Sequence, residues 1–145
     1  MTESIVVGTD GSDSAKRAVN EAVRLAKALD AELHVVSGFE PVRDARVKGA
    51  PERAAQVWQP LPYDQVDATL SEAAAAVRTS NVVVSTHAVQ KDPVDALLEV
   101  AEKVGASLIV VGNKGMHGAK RFVLGNVPNK VSHRAMCNVL IVATA

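Results

Sequence analysis

The sequence predicts a single α/β domain built on a parallel β-sheet. Short apolar runs rich in Val and Ile alternate along the chain with longer stretches whose apolar residues recur every three to four positions, and this alternation is typical of parallel sheets covered by helices. Composition indicates the same class, since 48% of the residues are hydrophobic but only 3% are aromatic. The core must therefore be assembled from Val, Ala and Leu, as in a buried sheet. A chain of 145 residues is long enough for one such core.

The first part of the chain contains two predicted strands separated by a helix. Ser4–Gly8 is the first strand, and Ser14–Leu29 is an amphipathic helix that follows a polar loop. Leu33–Phe39 is the second strand. The stretch Glu40–Pro62 then changes character, with four prolines and many charges. Connections of this length in compact domains are usually lids, binding loops or disordered segments, and we expect this one to be a lid.

The next part continues the alternation, with a second helix and then a third strand over Asn81–His87. A third helix opens with Asp92 as its N-cap and Pro93 at its first helical position, and Gly105 ends it. The fourth strand follows. A short helix over Pro128–Ala135 and a fifth strand then complete the pattern.

The most informative stretch follows the fourth strand, whose apolar run Leu108–Val111 ends at Gly112. Gly115 and Gly125 come three and then ten residues later, and Asn126 reads as the N-cap of the short helix. Glycine lets a backbone come close to a ligand, and the free N–H groups of a helix's first turn favour an anion. This stretch therefore predicts a phosphate cradle.

The glycine spacing resembles the nucleotide-binding signature of the universal stress protein family. That signature has two glycines three apart, nine intervening residues, a third glycine, and then Ser or Thr. All three glycines match, whereas Asn126 stands where the family has a hydroxyl residue. Ile5–Ser12, Pro93–Gly112 and Asn138–Val142 resemble the family's opening strand and loop, its third helix with its fourth strand, and its closing strand. The resemblance covers nearly the whole chain.

The resemblance implies one universal stress protein domain over residues 1–145, with a Rossmann-like fold of the adenine nucleotide alpha hydrolase type. The expected sheet is open and five-stranded, in the order 3-2-1-4-5, with helices on both faces. Ligands bind such sheets at the carboxyl ends of the strands where the order reverses, here between strands one and four. The resemblance thus implies ATP in that crevice. The expected nucleotide-binding residues are Gly8, Thr9, Asp10, Val36, Val111, Gly112, Asn113, Gly115, Gly125, Asn126 and Val127.

Asp10 and Asn126 leave alternatives open. By resemblance Asp10 lies beside the nucleotide, where its carboxylate repels phosphates unless a cation such as Mg²⁺ bridges the two. Alternatively, Asp10 only complements the dipole of the helix that follows it. The amide of Asn126 can donate to a phosphate oxygen, but it is longer than a hydroxyl group and also suits a helix cap. The replacement of the hydroxyl residue by Asn126 favours a ligand with fewer phosphates than ATP, and cyclic AMP is therefore the alternative ligand.

The chemistry favours binding over catalysis. The sequence has no Gly-Lys-Ser/Thr phosphate loop, no Gly-x-Ser-x-Gly nucleophile elbow and no HExxH zinc motif. We expect a stress-response sensor or regulator that is not an enzyme, with any ATP hydrolysis slow. A nucleotide-free dimerising module and a slow ATPase or phosphotransferase are the remaining alternatives.

Partners and location follow from charge and composition. Lys and Arg number 16 and so do Asp and Glu, which argues against nonspecific nucleic-acid binding. No apolar run approaches the roughly 20 residues that span a bilayer. A single cysteine, Cys137, and no leader-like start indicate a reducing cytoplasm. The apolar, uncharged strand Asn138–Val142 is an expected sheet edge, and we expect a homodimer through it.

Overall fold

The computed structural model describes residues 2–39, 63–113 and 126–143 of the chain. The strands are β1 (Ser4–Gly8), β2 (Glu32–Gly38), β3 (Val84–Val89), β4 (Leu108–Gly112) and β5 (Asn138–Val142). The helices are α1 (Asp13–Leu29), α2 (Tyr63–Arg78), α3 (Pro93–Val104) and α4 (Asn126–Arg134). No helix in these ranges is both long enough and apolar enough to cross a membrane.

The five strands form one parallel sheet in the order β3-β2-β1-β4-β5. β1 lies at the centre, where Ile5 is in register with Leu33 on one side and with Leu108 on the other. The predicted fold class and strand order are confirmed. The order reverses between β1 and β4, and a ligand crevice is expected at the carboxyl ends of these two strands.

A hydrophobic core lies on each face of the sheet, because successive side chains of a strand point to opposite faces. Ile5 and Val7 of β1 pack with α1 and α2 on one face. Val6, which lies between them, packs with α3 and α4 on the other. All three side chains are fully buried, and the strand reads as a continuous apolar run for this reason.

Local capping chemistry fixes the ends of α1 and α3. Ser12 caps α1, and its hydroxyl accepts a hydrogen bond from the Ala15 N–H at 3.1 Å. Asp92 caps α3 in the same way, with Pro93 in the first turn. Gly105 ends α3 at a φ of 65°, a left-handed conformation that glycine adopts without strain. The predicted bounds of α3 are confirmed.

Two elements differ from the sequence prediction by two residues or more at one end or both, whereas α1 and β2 differ by one residue. The third strand covers Val84–Val89 and not Asn81–His87, because Asn81 adopts a φ of 60° in the turn after α2. α4 begins at Asn126 itself, two residues before the predicted start. The predicted lid, Glu40–Pro62, lies outside the described residues.

Candidate functional site

A cleft opens at the carboxyl edge of the sheet, where the strand order reverses. The ends of β1, β2 and β4 and the first turns of α1, α3 and α4 line it together. Its empty space is about 500 Å³ when the part open to solvent is counted. The lining residues are Gly8, Thr9, Asp10, Ser14, Ala15, Val36, Gly38, Pro93, Leu97, Val111, Gly112, Val127 and Pro128.

The loop between β1 and α1 forms a polar wall of the cleft and is held by its own side chains. The Thr9 hydroxyl accepts from the Gly11 N–H at 3.1 Å, and the Asp10 carboxylate accepts from the Ser12 N–H at 2.9 Å. The Thr9 N–H donates to the Val36 carbonyl at 2.9 Å and joins this loop to β2. Asp10 is the only charged side chain among the described residues of the lining.

The opposite part of the cleft is apolar. Leu97 of α3 packs over the end of β1 so closely that a Cβ on Gly8 would lie 3.2 Å from its Cδ2 atom. Val36, Val111 and Val127 are all buried and continue this surface. An apolar wall suits the face of an aromatic base, whereas the positive ends of the helix dipoles at this edge favour an anion.

Gly38 lets the backbone before α3 come close to the end of β2. A Cβ at this position would lie 2.6 Å from the Lys91 carbonyl oxygen and 3.1 Å from the Pro93 nitrogen. Both atoms belong to the backbone and are hard to displace. This close approach brings Pro93 and Leu97 to the rim of the cleft.

The cleft brings together most of the residues predicted from sequence. Those that line it are Gly8, Thr9, Asp10, Val36, Val111, Gly112 and Val127. Asn113 is not among the lining residues, and its N–H donates to the Val142 carbonyl at 2.9 Å. Gly115 and Gly125 lie outside the described residues, and only the backbone of Asn126 is described.

Sequence reasoning missed Gly38 at the end of β2 and the residues that the helices bring to the cleft. The helix residues are Ser14, Ala15, Pro93, Leu97 and Pro128. Helix starts were recognisable in the sequence at Asp92 and Asn126, and the N-terminus of every helix in a parallel α/β fold lies at this edge. The helix starts were therefore the signal that could have found most of them.

The described residues contain no group of three or more His, Cys, Asp or Glu side chains placed to hold a metal ion. Any cation at Asp10 would thus need oxygen atoms from a ligand as well. The role of Asp10 in holding Mg²⁺ stays a prediction.

The fold and the cleft together define an α/β protein with a cleft at the switch point of its parallel sheet. Residues 1–143 match the model of the universal stress protein family, and the chain belongs to that family. A universal stress protein of Mycobacterium tuberculosis is 38% identical over 144 residues, which cover 98% of this chain and 97% of the relative.

Solved structures of similar proteins include nucleotide complexes. A universal stress protein in complex with cyclic AMP has a TM-score of 0.73 and 34% identity, with 99% of this chain and 98% of the other covered. The universal stress protein from Archaeoglobus fulgidus in complex with dAMP has a TM-score of 0.69 and 25% identity, with 96% of each chain covered.

Proposed function

We propose that this chain binds an adenine nucleotide in the cleft between β1 and β4. The spacing of Gly112, Gly115 and Gly125 in the sequence favours ATP as the ligand. One observation carries the proposal. An apolar wall and three helix N-termini meet in a single cleft, so a base and a phosphate find suitable surfaces within one site. The cyclic AMP and dAMP complexes of similar proteins support an adenine ligand.

In this proposal the chain signals through the binding of a nucleotide and not through its hydrolysis. The only charged side chain of the described lining is Asp10. Its carboxylate already accepts the Ser12 N–H. The chain then acts as a stress-response sensor or regulator, and Mg²⁺ joins Asp10 to the phosphates when the ligand is ATP.

Cyclic AMP is the second candidate ligand, and two observations favour it. The sequence has Asn126 in place of the family's Ser or Thr, which removes a compact hydroxyl donor from the phosphate side. The structure of a universal stress protein with 34% identity contains cyclic AMP. Calorimetric titration of the wild-type protein with ATP, ATP with Mg²⁺, and cyclic AMP ranks the candidates directly.

Glycine substitutions test the site itself. We expect Gly115→Ala and Gly125→Ala each to weaken ATP binding by about tenfold or more, or ~1.4 kcal/mol, because a methyl group intrudes where the backbone meets phosphate. Gly105→Ala, at the opposite end of α3 from the cleft, is the control. Its φ of 65° disfavours alanine, and a Cβ there would meet nothing within 4 Å, so this variant loses some stability but should keep the affinity unchanged. If both signature variants bind ATP as tightly as the wild type, the site assignment is wrong. Native mass spectrometry of freshly purified protein identifies any nucleotide that is carried along.

We also propose that a second copy covers β5. β5 is the terminal strand of the sheet and pairs with β4 on its other side. Val139, Leu140, Ile141 and Val142 are only half-buried in the described part of the chain. Twofold pairing of two such strands would bury this apolar edge.

A further inference from the structure

Two histidines form a contact between β2 and β3, away from the cleft. The Nδ1 atom of His34 lies 2.9 Å from the Nε2 atom of His87. The ring centroids are 5.1 Å apart, and the rings are tilted by 41°. His34 is only 7% exposed. Because His34 and Val36 alternate with Val35 on β2, the pair lies on the same face of the sheet as Val36, beneath α3.

The 2.9 Å distance between the two nitrogens indicates a hydrogen bond, which restricts the protonation state of the pair. A hydrogen bond between two imidazoles needs one N–H group and one bare nitrogen. The Nε2 atom of His34 is buried and has no hydrogen-bond partner among the described residues. It lies 3.8 Å from the Glu32 carboxylate, which favours a proton at that nitrogen. His34 therefore accepts at Nδ1, and His87 donates from Nε2.

The neighbouring charges disfavour further protons. Burial holds the pKa of His34 below its ordinary value, and the Glu32 carboxylate opposes this effect only in part. Burial, His34 and Lys103 of α3 all lower the pKa of His87. Glu99 of α3 is paired with Lys91 at 2.8 Å. β3 itself contributes no charged residue other than His87.

An added proton changes the contact in two steps. The first proton goes to Nδ1 of His87, because Nε2 of His34 already carries a proton and Nδ1 of His34 accepts the bond from His87. It places a positive charge next to Lys103 beneath α3. A second proton must go to Nδ1 of His34, which removes the hydrogen bond and leaves two cations in contact. The first step strengthens the bond between the rings but repels Lys103 and so disfavours the packing of α3 over the pair. The second step makes the two rings repel each other.

The elements around the pair are also the walls of the cleft. Two residues beyond His34, Val36 lines the cleft and its carbonyl accepts the Thr9 N–H. α3 packs against β2 and β1 and places Pro93 and Leu97 in the lining. Movement of α3 away from β2 would therefore open the apolar wall.

We propose that the His34–His87 pair is a proton-sensitive contact that weakens nucleotide binding in the cleft as the pH falls below neutrality. The proposal rests on the proposed function, because it regulates that same site. The neutral pair holds β2, β3 and α3 together, and the nucleotide binds this closed arrangement. Ligand binding and protonation then oppose each other.

The test compares cyclic AMP affinity at about pH 7.5 and about pH 5.5, a range in which histidines titrate and the phosphodiester of this ligand does not. We expect the wild-type affinity to fall by about fivefold or more. The double variant His34→Asn, His87→Gln keeps amides near the two bonded nitrogens and should bind equally at both pH values. His133→Gln, on the exposed end of α4, is the control and should behave as the wild type.

NMR titration of the histidine rings in the nucleotide-free protein separates this proposal from the proposed function. Both rings should titrate below the ordinary value of about 6.5. A wild-type affinity that does not change with pH, an unchanged pH dependence in the double variant, or a ring that titrates at or above that value overturns the proposal. If neither cyclic AMP nor ATP binds at about pH 7.5, the proposed function fails and the NMR titration alone decides whether the pair resists protonation. Should the double variant not fold, His87→Gln alone takes its place.

Discussion

Gly38 shows how a single residue without a side chain shapes the cleft. Its Cβ would lie 2.6 Å from the Lys91 carbonyl oxygen, so Gly38→Ala must displace backbone. We expect this variant to lose ~1–3 kcal/mol of unfolding free energy, as in other overpacked sites. Gly8→Ala is the matched control, because its Cβ would meet only the flexible end of Leu97 at 3.2 Å. Urea unfolding measures both. A loss for Gly38→Ala no greater than that for Gly8→Ala contradicts this account.

Asn126 is the residue on which the choice of ligand is expected to depend. Asn126→Ser restores the hydroxyl of the family signature. We expect the ratio of ATP affinity to cyclic AMP affinity to rise about two- to tenfold, which corresponds to one net hydrogen bond. Calorimetry with both nucleotides provides the ratio. If the ratio stays constant or falls, Asn126 contributes only to the start of α4.

Apart from Val127 at the start of α4, the lining residues that were predicted from sequence lie at or near the ends of strands. An apolar run that ends in Gly8-Thr9-Asp10 or in Val111-Gly112 marks both the strand end and the polar edge beyond it. No such sequence signal identifies Leu97 as a lining residue. It belongs to the ordinary apolar face of a helix, and only the packing of α3 across Gly8 makes it a lining residue.

At the scale of elements, β5 makes the proposed dimer testable. The Val142 carbonyl accepts a bond from the Asn113 N–H, so Val142 faces β4 and Ile141 faces the free edge, since alternate residues of a strand direct their peptide groups to opposite sides. Ile141→Pro removes an outward donor and should convert a dimer into a monomer in light scattering at micromolar concentration. Ile141→Thr keeps the N–H and should remain dimeric. A wild-type protein with the mass of one chain refutes the dimer.

The ends of an element were predicted better where capping residues determine them than where pairing with a neighbouring strand does. Asp92, Pro93 and Gly105 determine the ends of α3 through side-chain and backbone preferences that are visible in sequence. β3 is an edge strand, and its start at Val84 depends on its register with Leu33 of β2. The strand was predicted to start too early because Val82 and Val83 are apolar. The hydrophobic pattern does not show that Asn81 belongs to the turn after α2.

For the whole molecule, the alternation of elements was enough to predict a parallel sheet but not the order of its strands. β1, β2 and β4 are apolar runs that fit any central position. The order came from the resemblance to a family, and the sheet has that order. The position of the crevice follows from the order, so the same resemblance placed the candidate site.

The self-bonded loop between β1 and α1 has a consequence for how the molecule could report that it is occupied. The side chains of Thr9, Asp10 and Ser12 already accept the N–H groups of Gly11, Ser12 and Ala15. We therefore expect this wall to keep its shape when a ligand binds. A wall that does not move cannot signal that the cleft is occupied. We expect the conformational change on ligand binding to occur in the opposite wall, where α3 and α4 pack through apolar contacts that can slide.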